Sequence, residues 1–151
     1  MKKIKIIFLY LMLIIFTYNC GFKPIYSSNN LDLKFDTFNY ESNKLNNQII
    51  KSLKTFSNPN GSKVYDIDLD AVKEKKILSK NSKGDTETFE LRIILNMTIK
   101  TKGETYKKSF IDKIKYNNND NKFELRQYEL EVEKQIITDL IEKIVIFFSE
   151  I

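Results

Sequence analysis

The sequence predicts an α+β domain, a four-stranded, mostly antiparallel sheet with two helices packed on one face in the order β-α-β-β-β-α. Three observations lead there. Apolar and polar residues alternate with period two in four segments, as half-buried strands do. Two other segments repeat an apolar residue at every fourth position, the spacing of one helix face. Clusters rich in Asn, Gly, Pro and Lys separate these segments, where the chain must turn.

In the first segment, after the polar stretch Ser27 to Asn30, Leu31, Leu33 and Phe35 alternate with Asp32, Lys34 and Asp36. From Ser42 onward Leu45, Ile49, Leu53 and Phe56 line one helix face, and Asn58-Pro59-Asn60-Gly61 ends that helix. Tyr65, Ile67, Leu69 and Ala71 then alternate with Asp66, Asp68 and Asp70 on a second strand. A polar turn over Asn81 to Asp85 leads to the third, carried by Phe89, Leu91, Ile93, Leu95, Met97 and Ile99. Lys102-Gly103 makes a tight hairpin into the fourth, marked by Tyr106, Phe110, Ile114 and Tyr116, so that three strands form a meander.

The polar stretch Asn117 to Asn121 precedes the second helix, with Asn121 and Glu124 spaced like a capping box. Tyr128, Val132, Ile136 and Leu140 occupy one face. Leu130, Ile137, Ile141, Ile144 and Phe148 add a second stripe. Deep burial of that stripe is preferred here over an exposed surface for a partner.

The chain has 151 residues, enough for one compact domain once a targeting segment is set aside. Lys2, Lys3 and Lys5 precede an apolar run from Ile6 to Phe16, about half the length a bilayer-spanning helix needs. Residues 1–19 therefore read as a signal peptide, with a membrane anchor as the alternative. Cys20 reads as the lipid-bearing first residue of a mature bacterial lipoprotein. Residues 20–30 are then its lipidated N-terminus and linker, and residues 31–151 a single domain. Each buried lipid methylene contributes about 0.8 kcal/mol, so several chains on one cysteine hold a protein at a membrane. Thr17 and Asn19 stand where the usual processing box has Leu and a small residue, and a secreted protein with a free thiol is the alternative. Gly21, rather than the Asp that retains enteric lipoproteins at the inner membrane, points to the outer membrane.

Loss of Lys2, Lys3 and Lys5 lowers the formal charge from +5 to +2, too weak for nucleic-acid binding. One cysteine and no histidine exclude an intramolecular disulfide, the usual zinc sites and a Ser-His-Asp triad. Asp66-x-Asp68-x-Asp70 opens like a calcium loop, but Ala71 and Ile77 stand where that loop needs Gly and an acidic ligand, so the three aspartates read as a solvated strand face. A carbohydrate-acting enzyme would need paired carboxylates, and nothing in the sequence brings two together. The expectation is a protein that is not an enzyme, holds no metal, and carries no cofactor besides the covalent lipid on Cys20.

Lys100, Lys102, Lys107 and Lys108 gather around the last hairpin, with Lys113 and Lys115 further along the strand. Ammonium groups offer point charges to phosphates, which makes the first four candidate contacts for a phosphorylated lipid; a solvated face is the alternative.

The heptapeptide Cys20-Gly21-Phe22-Lys23-Pro24-Ile25-Tyr26 resembles the Cys-Gly-Phe-basic-Pro-aliphatic-Tyr start of alphaproteobacterial lipopolysaccharide-assembly lipoproteins, the LptE family. The order of elements and the long, charged last helix are similar to that family over the whole mature region. The resemblance implies a non-enzymatic outer-membrane lipoprotein on the periplasmic side. Such a protein would sit inside, plug and help fold a lipopolysaccharide-translocating β-barrel of the LptD type, and bind lipopolysaccharide on its way to the cell surface. Only Cys20 carries over as a site. The competing reading is an auxiliary lipoprotein of another envelope transport complex.

Overall fold

The computed structural model describes residues 32–151; Leu31 and the expected signal peptide, Cys20 and linker lie outside the described residues. Strand β1 (Leu33–Tyr40), helix α1 (Lys44–Lys54), strands β2 (Lys63–Lys80), β3 (Thr86–Thr101) and β4 (Glu104–Asn117), and helix α2 (Lys122–Glu150) follow in the expected order. The sheet order is β1-β2-β3-β4. β1 runs parallel to β2, with Leu33 opposite Lys63, and the other two pairings are antiparallel. The predicted class, a mostly antiparallel sheet with two helices, is what the chain forms.

Both helices cover the face bearing Tyr65, Ile67 and Leu69 of β2 and Leu91, Ile93, Leu95, Met97 and Ile99 of β3, which join Ile49 and Leu53 of α1 and Ile136, Leu140 and Ile144 of α2 in one core. Burying a side chain of this size contributes about 1.5–3 kcal/mol, so these alternating positions dominate the folding energy. The second apolar stripe of α2 is buried at Ile137, Ile141, Ile144 and Phe148, while Leu130 and Tyr128 near the helix start are exposed.

α1 starts at Asn43, whose side chain accepts from the Asn46 amide at 2.8 Å. Asn46 is fully buried, donates through Nδ2 to the Glu41 carbonyl at 2.9 Å and accepts from the Ala71 N–H at 3.1 Å. That last bond satisfies a β2 amide just beyond the end of the β1 pairing, so one polar side chain sews the crossover helix to the sheet. At Gly61, where the chain leaves the crossover, a Cβ would lie 2.6 Å from the Leu33 carbonyl carbon.

β2 runs to Lys80, up to the expected turn at Asn81, and Lys73 and Lys75 keep its inward alternation as charged residues. One local expectation is modified: the start of α2 is not a reciprocal capping box. Asn121 Oδ1 accepts from the amides of Phe123 and Glu124, but Glu124 receives the Asn121 side-chain amide, while the Asn121 backbone N–H goes to Asn119.

The strands at the sheet's two sides are partly covered. At β1 the Phe35 amide donates to the Ser57 hydroxyl at 3.0 Å and the Asn58 amide to the Leu33 carbonyl at 2.8 Å. At β4 Lys143 of α2 donates to the Ile111 carbonyl at 3.3 Å and to Asp112 at 2.9 Å, and Asp112 accepts from the Lys113 amide at 2.7 Å.

Candidate functional site

The β3–β4 hairpin is built by the two-residue turn at Lys102-Gly103, with Gly103 at φ +93°, a left-handed conformation that glycine adopts without strain. Thr101 pairs with Glu104 and Ile99 with Tyr106 on either side of it. This register decides where the four candidate lysines go, since adjacent strand residues face opposite sides of the sheet.

Lys100 and Lys107 lie on the face that the helices leave open, Lys102 is exposed in the turn, and Lys108 is on the helix side. The structure therefore does not gather the four into one patch. Lys100 forms an ion pair with Asp68 of β2 at 2.7 Å. Lys108 stands 5.4 Å from the ring centre of Phe147 on α2, a cation–π contact. Lys107 borders a shallow groove of mixed polarity, lined also by Asn39, Asp68, Met97 and Ser109, and Lys108 touches the same groove.

Carboxylates are interleaved with these ammonium groups. The hydrogen bond from Lys100 outweighs the opposing effect of burial and, with the Lys100 charge and the Asn39 amide, holds the Asp68 carboxyl below the usual aspartate range. Glu104 accepts from the Tyr106 hydroxyl and thereby pushes that phenol's pKa up. Asp66 accepts from the Thr37 hydroxyl, and Asp70 is exposed. The aspartate run is thus the open side of a strand, tied to its neighbours. The hairpin end presents a mixed surface on which Lys102 and Lys107 are exposed.

A second polar group on the open face escaped the sequence reading. Glu90 is buried beneath Arg92, at 3.1 Å, and Lys113, at 3.5 Å. Burial pushes its carboxyl up, but Lys113 and Arg92 more than reverse this and leave it below the usual range. Between this group and the hairpin groove runs one apolar row, Val72, Ile94 and Ile111, one residue from each of three adjacent strands. Alternating polarity was the available signal, since all of these positions have the parity opposite to the core.

Among the described residues no helix is long and apolar enough to cross a membrane, and no three His, Cys, Asp or Glu side chains converge as metal ligands.

The model of the lipopolysaccharide-assembly family LptE matches residues 32–146. The chain belongs to the LptE family. The match spans nearly all of the described domain, from β1 into the last turns of α2, and the family is one of lipopolysaccharide assembly rather than an enzyme family. Two solved structures support the fold. Rare lipoprotein B from Shewanella oneidensis is similar with TM-score 0.54 at 15% identity, covering 76% of this chain and 96% of its own. A minor lipoprotein from Acinetobacter baumannii is similar with TM-score 0.51 at 16% identity, covering 74% of this chain and 88% of its own. Comparison with curated protein sequences returned no match. The expected family and the expected fold thus rest on independent findings, one from sequence and one from shape.

Proposed function

We propose that this LptE-family chain is an outer-membrane lipoprotein, tethered through lipid on Cys20, that assembles with and plugs an LptD-type β-barrel and helps deliver lipopolysaccharide to the cell surface. The family match over residues 32–146 carries this reading. The described domain suits it physically. Apart from the row Val72, Ile94 and Ile111 and the exposed Phe123, Tyr128 and Leu130 of α2, its open sheet face and the outer face of α2 are mostly polar, which suits the water-filled interior of a large barrel. A lipid tether would confine the domain to the leaflet that holds the barrel and raise its effective concentration there. Lys100, Lys102, Lys107 and Lys108 remain the proposed contacts for lipopolysaccharide phosphates, with Lys102 and Lys107 the strongest of the four.

Native extraction and crosslinking of the full chain tests the assembly. A large outer-membrane β-barrel should co-purify, and recovery with an inner-membrane or periplasmic complex instead would favour the auxiliary-lipoprotein reading. Metabolic palmitate labelling tests the anchor: wild type should label and Cys20→Ala should not, and equal labelling of both would exclude lipidation there. Lys102→Glu with Lys107→Glu should weaken lipopolysaccharide crosslinking to the hairpin without changing barrel recovery.

A further inference from the structure

We infer that the N-terminal half of α2, Lys122 to Gln135, is an electrostatic clasp that opens independently of the C-terminal half. The inference rests on how the inner face of β2 changes character along its length. Tyr65, Ile67, Leu69 and Ala71 present apolar surface to the helices, and the next two inward positions are Lys73 and Lys75. α2 answers with carboxylates one turn apart, Glu129 and Glu133.

Lys73 meets Glu133 at 2.6 Å, with the carboxylate 7% exposed and the lysine 46% exposed to solvent and salt. Lys75 pairs with Glu129 and rests 3.9 Å from the ring centre of Phe89. The Tyr116 hydroxyl of β4 donates to the same Glu129 carboxylate at 2.9 Å. Between them these contacts tie α2 to β2 and β4, while Phe89 of β3 stacks on Tyr116 at 5.5 Å beneath. Apolar support in this half is thin, with Leu125 and Val132 as its buried hydrophobic residues. The following half places Ile136, Ile137, Leu140, Ile141, Ile144, Val145 and Phe148 in the core.

The two halves consequently answer to different forces. Apolar burial is indifferent to screening, whereas raising ionic strength from about 0.01 M to about 1 M shortens the Debye length from about 30 Å to about 3 Å. A helix held by ion pairs at one end and by a core at the other opens from the ion-paired end. Opening uncovers the stacked Phe89 and Tyr116 rings while the rest of the core stays closed. The clasp does not depend on the family role proposed above.

Hydrogen exchange of the full chain in detergent, compared at low and high salt, tests it. Salt should speed exchange over residues 122–135 by about tenfold and leave residues 136–148 within about twofold. Lys75→Met and Glu133→Gln should reproduce the fast exchange at low salt, and the exchanged pair K73E/E133K should slow it again. Equal acceleration of both halves, or an N-terminal half unmoved by salt, would overturn the clasp. Should a single variant fail to fold, the salt comparison on the wild-type chain decides alone.

Discussion

The ring of Phe148, in the last turn of α2, meets the ring of Phe35 on β1 edge to face, with centroids 5.2 Å apart. Tyr65 of β2 contacts Phe148 in the same manner at 5.1 Å. One side chain from the end of the domain thus locks the first strand to the second, across the sheet's single parallel pairing. Phe148 is 4% exposed, so this end of the stripe is core, as the burial reading of the stripe expects. A charge placed there would report unfolding rather than a lost interface.

Phe148→Ala should therefore cost about 3–5 kcal/mol, the usual range for emptying a buried aromatic site. Denaturant titration followed by circular dichroism gives the value. A loss below about 1 kcal/mol would mean that the three rings do not pack as described.

Asn46→Ala leaves the buried Ala71 N–H without its acceptor, a loss of about 1–3 kcal/mol. Hydrogen exchange at Ala71 should quicken more than at Leu95 in the centre of β3. Equal change at both amides would show that Asn46 has no local role.

Gly61 and Gly103 should respond differently to alanine. At Gly61 the new Cβ would collide with the Leu33 backbone, and about 2–3 kcal/mol is expected from the forced shift. At Gly103 there is open space and only the positive φ opposes alanine, for about 1 kcal/mol. Thermal melts of the two variants should rank Gly61→Ala below Gly103→Ala.

Glu129 makes the start of α2 sensitive to acid. Burial raises its carboxyl pKa, but hydrogen bonds from Lys75 and Tyr116, with the charges of Lys75 and Lys73, bring it below the reference value of 4.5. A carboxyl depressed on folding stabilises the native state above its unfolded pKa, and that contribution fades as the pH falls through the folded value. Stability measured by denaturant midpoint should fall below about pH 4.5, with a shallower fall in Glu129→Gln. An unchanged slope in that variant would assign the acid response to other carboxyls.

Much of this fold was legible because the alternation at Leu33 and Phe35, and from Phe89 to Ile99, matches the pleat of strands with one covered face. The parallel pairing of β1 with β2 was not legible, since the same alternation serves either direction and only the α1 crossover fixes it. Lys73 and Lys75 look like solvated residues in sequence and stay exposed; their pairing with α2 depends on Glu129 and Glu133 arriving from more than fifty residues away. At the hairpin, parity alone separates Lys107 from Lys108, yet closeness along the chain made them look like one basic cluster. Glu90 was hidden for a similar reason, because its partner Lys113 comes from the next strand.

The hold of Lys143 on Ile111, and of Asp112 on the Lys113 amide, bears on how such molecules behave when crowded. An exposed β-strand is a template on which a neighbouring chain can add another, and repeated addition makes ribbons. Along the middle of β4 an incoming strand must first displace an ammonium group and a carboxylate that already occupy the backbone positions. On the opposite side Ser57 and Asn58 block the beginning of β1. The sheet is finite by construction, and Lys143→Ala with Asp112→Ala should be the change that lets concentrated protein form fibres.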